Sequence, residues 1–336
     1  MTTLALRSGQ TMSMCSNRMT RDLGSRRHLG RQRFRNTFNT FTGIDDSWRT
    51  DTWAITAFWY HPVRRHPGNR ADLADHVRHF DRSHNGFRFV GAHATRKSGR
   101  RHVEWTLLNL RDDDAFANRD RNLTTLGLRL RREPAPGTWD YDLDFALQAG
   151  STRGGIAPTS RRFDHFAGFI HAEAGYHFGG PWQTRLVGQF NVAGGDRDPA
   201  DGDSDRYDGN FGVRVFDYGP TGIYGAFSRS NTAFLRLRLF PRPSADTRLR
   251  VALAHYRLSS AFDRHATSAL NDPTGHSGRD LGIQLEFRAQ YRFMPRLSGA
   301  VGGAFLSPGD YLEDAPARTH SPRNTRYVYA EATLRF

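Results

Sequence analysis

Tyr327-Val-Tyr-Ala-Glu-Ala-Thr-Leu-Arg-Phe336 decides the fold. Val328, Ala330, Ala332, Leu334 and Phe336 share one face of an extended chain; Tyr327, Tyr329, Glu331, Thr333 and Arg335 share the other. A period of two marks a strand with one apolar and one polar face. A final strand ending on an aromatic suits an outer-membrane barrel, in which every strand pairs and turns its apolar face to lipid.

The pattern recurs upstream. Leu281–Phe293 puts Leu281, Ile283, Leu285, Phe287, Ala289, Tyr291 and Phe293 opposite Gly282, Gln284, Glu286, Arg288, Gln290 and Arg292. In Trp139–Leu147, Asp140, Asp142 and Asp144 oppose Trp139, Tyr141, Leu143, Phe145 and Leu147. Phe166–Phe178 carries His171, Glu173 and His177 on its polar side. Leu126, Leu128 and Leu130 alternate with Arg129 and Arg131, Leu235, Leu237 and Leu239 with Arg236 and Arg238, and Leu249, Val251 and Leu253 with Arg248 and Arg250. Weaker strands are expected over Thr52–Tyr60, Gly86–Thr95, His102–Arg111, Gln183–Ala193 and Arg296–Phe305. Strands of about ten residues match tilted membrane crossings.

Connections alternate in length. Glu133–Gly137, Gly179–Pro181, Pro241–Ser244 and Met294-Pro295 are short; Gly150–Arg162, Gly194–Asn210, Ser259–Gly278 and Ser307–Asn324 are long. Short periplasmic turns facing long outer loops give this rhythm. Trp139, Phe178, Trp182, Phe240 and Phe293 flank the short turns, where an interfacial aromatic girdle would lie. The expected fold is therefore all-β: one antiparallel, porin-like transmembrane barrel domain spanning residues 1–336. A soluble β protein with one packed face is the alternative.

Composition agrees with a barrel. Mean hydropathy is −0.67 and there is no apolar run long enough for a helical span. The formal net charge is +14 and Lys97 is the only lysine, so arginine carries the excess. Guanidinium groups suit planar carboxylates and phosphates. Lipopolysaccharide, acidic polysaccharide and nucleic acid all fit that charge. The Arg18–Arg35 stretch could read as a nucleic-acid patch, but Phe34, Phe38 and Phe41 interleave with Asn and Thr, so strand and turn are expected there and no nucleic-acid partner. Met1–Arg7 has no long apolar core, so the expectation is either a cytosolic protein or an exported one whose start lies further upstream.

Other chemistry finds little support. Cys15 is alone and the histidines lack metal-ligand spacing, so no metal or cofactor is expected. Asp201, Asp203 and Asp205 begin like a calcium loop, but Arg206 stands where glycine is needed and Gly212 where glutamate is needed. Within the acidic stretch Asp196–Asp208 a solvated outer loop is expected. Neither a phosphate loop nor a nucleophile elbow is present, and no enzymatic activity is expected.

Arginine on a polar strand face must avoid lipid, where it costs roughly 2–4 kcal/mol at mid-membrane. The pore-lining candidates are Arg129, Arg131, Arg185, Arg236, Arg238, Arg248, Arg250, Arg288 and Arg292, with Asp140, Asp142, Asp144 and Glu286. Rings of arginine select anions. Cross-strand pairing with those acids, Glu173 and Glu331 is the competing role. On this register Leu285→Arg should hinder assembly and Gln284→Arg should be tolerated.

The order and spacing of several segments resemble the alginate export family of bacterial outer-membrane barrels. These are Asp22–Arg27, Gly30–Asp45, Asn122–Leu130, Ala135–Leu143, Gly194–Gly202, Tyr291–Leu312 and the closing Tyr327–Phe336. The resemblance implies a barrel of about 18 strands when complete, with a basic lumen passing an anionic polyuronate. It also implies a signal peptide and early strands absent from this sequence. The expected function is passive diffusion of an anionic polysaccharide or small anionic solutes across the outer membrane. The alternative is a soluble basic β protein binding acidic polymers or nucleic acid. Expected partners are outer-membrane lipid, lipopolysaccharide and the barrel assembly machinery.

Overall fold

The computed structural model describes residues 2–7, 10–32, 38–66, 70–113, 119–220, 224–316 and 323–335. Phe34 and Phe336 lie outside the described residues. The strands are β1 (Thr2–Arg7), β2 (Gln10–Met19), β3 (Phe41–Arg49), β4 (Trp53–Arg64), β5 (Arg82–Ser83), β6 (Phe87–Ser98), β7 (Arg101–Asp112), β8 (Asn122–Arg132) and β9 (Thr138–Arg153). They continue as β10 (Arg162–His177), β11 (Arg185–Ala193), β12 (Asp203–Ser204), β13 (Thr232–Phe240), β14 (Thr247–Arg257), β15 (Asp280–Met294), β16 (Leu297–Ser307) and β17 (Thr325–Leu334). Among the described residues, helix is confined to α1 (Arg70–Ala74), α2 (Val215–Tyr218) and α3 (Asp310–Asp314).

Each long strand pairs antiparallel with the next, from β1–β2 through β16–β17. The result is a porin-like barrel wall, open between β1 and β17 among the described residues. Two-residue β5 and β12 are loop segments laid against β4 and β10. Short turns and long loops occupy opposite rims, as the spacing predicts. Strands β1 and β3 were not among the expected ones, nor was β2 before Arg18; of the Arg18–Arg35 stretch, Arg18 and Met19 end β2, residues 20–31 turn inward, and residues 33–35 lie outside the described residues.

The two faces separate by parity. Leu235, Leu237 and Leu239 are exposed on the outside of β13, while Arg236 and Arg238 are buried inside. Ile283, Leu285 and Phe287 lie outside β15, Gln284 and Glu286 inside. Leu281 breaks the expected outward set, with no exposure at all. The register slips between Tyr256 and Arg257, and Gly282 takes φ +106°, a left-handed region open to glycine. That bulge turns Leu281 inward. Trp139, Phe178, Trp182 and Phe293 are exposed by the short turns, but Phe240 points inward beneath the guanidiniums of Arg185 and Arg238.

The interior is not uniformly polar. Toward the long-loop rim the inner wall is apolar and packs on segments folded into the barrel. Leu23, Leu29 and Phe211 pack with Phe41, Phe58, Tyr60, Phe89, Leu108 and Leu110. Tyr218, Phe227 and Tyr311 pack with Phe234, Tyr256, Leu281 and Leu306. Burying such side chains contributes about 1.5–3 kcal/mol each.

Candidate functional site

Below these apolar clusters the inner wall is charged. Alternation sets Asp140, Asp142 and Asp144 inward on β9, opposite inward residues of β8 and β10 in register. Arg129 donates to Asp142 at 2.6 and 2.7 Å and to Glu104 at 3.1 Å. Arg131 donates to Glu104 at 3.0 Å. Arg185 holds Asp140 and, at 2.8 Å, Glu173. Arg238 holds the other Glu173 oxygen. Arg236 donates to Glu286 at 2.6 Å, and Arg250 lies 3.5 Å from the same carboxylate. Arg288 reaches Glu331 at 2.5 Å and Tyr329 at 3.2 Å. Arg292 bonds Asp246 at 2.7 Å near the short-turn rim, and Arg248 is exposed at the start of β14. The surplus of arginine read along the C-terminal strands is thus largely matched, because Glu173, Glu331 and Asp246 reach in from β10, β17 and a turn.

This network anchors the segments that fold inward. Arg27, from residues 20–31, donates to Asp144 at 3.2 Å, to Asp142 at 3.4 Å and to Asp217 of α2 at 3.2 Å. It also lies 2.7 Å from the His171 ring. Arg229 donates to Asp217 at 2.6 Å and to the Arg27 carbonyl at 2.7 Å. The Asp217 carbonyl accepts from Arg236 at 2.8 Å. Burial opposes ionisation of Asp217, but Arg27 and Arg229 hold its carboxyl far below the usual range. Sequence reading missed Arg27, Asp217 and Arg229. Their signal, isolated charges in loops, has no periodicity to read.

Above the anchor, the inward segments enclose a polar cavity of about 550 Å³. Six arginines line it, Arg119, Arg121, Arg206, Arg214, Arg229 and Arg264, against one carboxylate, Asp208. Arg121 is held by Asp112 at 2.5 Å and Asp208 at 2.7 Å. Arg206 contacts Asp263. Arg119 and Arg264 have no carboxylate partner among the described residues. Burial first, and then the charges of Arg264 and Arg121, push Arg119 below the ordinary guanidinium range. An entering anion would relieve that repulsion. The Asp196–Asp208 stretch divides here: Asp198, Asp201 and Asp203 face solvent, while Asp208 joins the cavity wall. Asp208 is held low by Arg121 against the penalty of burial.

No curated protein shows significant similarity to the chain. Solved structures do. Pseudomonas aeruginosa OccK5 (OpdH) matches with TM-score 0.58 at 12% identity, covering 98% of this chain and 79% of that one. OccK10 (OpdN) of the same organism matches with TM-score 0.57 at 14% identity, over 97% and 83% of the two chains. Its OccK2 (OpdF), solved in complex with glucuronate, matches with TM-score 0.56 at 14% identity, over 99% and 80%. At these identities the likeness is one of fold. The alginate export family model matches residues 6–326, nearly the whole chain. With the barrel wall and charged lumen described above, this makes the protein an outer-membrane channel, not an enzyme: the chain belongs to the alginate export family.

Proposed function

We propose that this channel conducts anions by passive diffusion, with carboxylate-bearing solutes or an anionic polysaccharide as cargo, and that the loop-built cavity sets the preference. The observation carrying this reading is the imbalance at that cavity, six arginines to one carboxylate in about 550 Å³. A confined, low-dielectric passage focuses such a field. Arg119 and Arg264 supply the uncompensated charge. The wall arginines Arg129, Arg131, Arg185, Arg236, Arg238, Arg250 and Arg288, with Asp140, Asp142, Asp144 and Glu286, line the lumen below as paired groups that offer donors and acceptors in turn. Arg248 and Arg292 stand at the short-turn mouth. The complex of OccK2 with glucuronate supports a carboxylate cargo by analogy.

Reversal potential in a planar bilayer under a salt gradient tests this. The wild-type channel should prefer anions. Arg119→Gln with Arg264→Gln should move the potential toward cation preference, and high salt should shrink the difference by screening. A cation-selective wild type, or an unmoved double variant, would remove the proposal.

A further inference from the structure

Arg88 of β6 and Arg111 of β7 are direct cross-strand neighbours at the long-loop rim. Both point outward, because the residues between their parities (Phe87, Phe89, Leu108, Leu110) are buried inside. Like charges placed opposite each other destabilise a sheet. On the inner wall Arg250 stands opposite Arg288 in the same way, and Glu286 and Glu331 resolve that pair. The outer pair has no carboxylate partner among the described residues, and Arg88 Nε is buried without a hydrogen-bond partner.

Beneath the pair the outer wall changes character in order. Asn109 donates to Asn122 and Thr124, both at 3.1 Å, in a polar step. Then a broad groove of about 1100 Å³ opens across the membrane-facing strands. Ala92, Leu107, Leu126 and Leu147 lie along one transverse row of it, paired in register from β6 to β9. Gly168 continues the row, and a Cβ there would have only Leu147 within reach, at 4.0 Å. Ala92 is four strand steps from Arg88, about 13 Å at the usual rise.

We propose that this face binds a phosphorylated, multiply acylated glycolipid of the outer leaflet, with a phosphate on Arg88 and Arg111 and acyl chains in the groove. Charge complementarity selects the occupant. Two adjacent guanidiniums at headgroup level match a phosphate, which accepts paired hydrogen bonds. A wide apolar furrow immediately below matches several chains on one headgroup. The site is on the outside of the wall, so it stands apart from ion selectivity.

The test is native mass spectrometry of the channel in nanodiscs doped with bisphosphorylated lipid A, its dephosphorylated form, or phosphatidylglycerol. Wild type should retain bisphosphorylated lipid A in preference to both others. Arg88→Gln with Arg111→Gln should retain about thirtyfold less of it, given about 1 kcal/mol for each cationic side chain at a lipid headgroup. Ala92→Trp, which fills the groove and leaves the charges, should also lower retention. Heat-modifiable migration reports whether each variant is folded, and Arg111→Gln alone, at an exposed position, replaces the double variant if that one fails. Equal retention by wild type and folded variants would overturn the proposal. So would equal binding of the dephosphorylated lipid or of phosphatidylglycerol, which would show an unselective lipid shell.

Discussion

Two regions of one lumen are rich in arginine and behave differently. On the wall, strand pairing places guanidiniums and carboxylates in register, and Arg129, Arg131, Arg185, Arg236, Arg238, Arg250 and Arg288 each find an acid. In the cavity above, loops bring Arg119 and Arg264 together without such partners. Charge repeated along a strand is easily neutralised, because its neighbour strand sits about 4.8 Å away with side chains on the same face. Charge carried by loops is set by where the loops fold. The field an ion meets is therefore written in the loops, while the wall charges chiefly hold those loops in place.

The largest effect that could break this contrast is at the anchor. Asp217→Ala leaves Arg27 and Arg229 buried without their shared acid and should cost about 3–5 kcal/mol. Denaturant titration of the refolded barrel, read by heat-modifiable migration, measures it. A loss below 1 kcal/mol, a marginal effect for a buried pair, would mean the inward segments are not anchored there.

Next comes the division between the faces. Leu285→Arg should cost about 2–4 kcal/mol at mid-membrane. Gln284→Arg, expected from sequence to be harmless, should cost about 1–3 kcal/mol by overpacking. Gln284 is fully buried, donates to Glu286 at 2.7 Å and accepts from Tyr224. Folding yield in lipid vesicles compares the two. An undisturbed Gln284→Arg barrel would show the lumen open at that depth.

A pH effect should appear in the loops. Burial, and then Arg206, push the loop imidazole of His265 from 6.5 down to about 4. The neutral ring packs edge-on against Phe227 and lies 2.8 Å from Ser268 Oγ. A depressed folded value means the stabilisation is full above pH 6.5 and is lost as pH falls toward 4, by about 2–3 kcal/mol. Limited proteolysis of residues 258–279 across that range should accelerate, and His265→Gln should flatten the response. Acceleration unchanged in that variant would assign the effect elsewhere.

The smallest effect belongs to the rim. Arg292→Gln breaks an exposed pair with Asp246 and should change stability by less than about 1 kcal/mol. A loss comparable to that of Asp217→Ala would erase the distinction between anchor and rim.

Much of the wall was legible in sequence, because lipid on one side and charge on the other write a period of two. β9, β13 and β15 are the clear cases. The weaker signals have a physical cause. In β4, Phe58 and Tyr60 face the loop core while Trp59 faces lipid, so both faces are apolar and the alternation fades. In β3 the code inverts at one end, with Phe41 buried inside and Asp46 on the outward parity. The candidate arginines were found on the correct parity, but their partners lay one or two strands away and could not be read from any single segment. The cavity arginines were beyond reach, since no local pattern foretells that residues 20–31, 194–220 and 224–231 fold into the barrel.

The apolar clusters inside the upper wall carry a consequence for anyone reshaping this channel as a nanopore. In a barrel with a wet lumen, trimming an inward loop widens the bore. Here the described residues of 20–31 and 194–231 are together the lining that keeps the wall dry, Leu23, Leu29 and Phe211 over Phe58, Tyr60 and Phe89, and Tyr218 and Phe227 over Tyr256. Excising them would strip that lining and leave a sticky, water-facing sleeve, prone to capture detergent or to fold in on itself. Engineering of the bore should proceed by exchanging side chains on the plug, with its backbone kept.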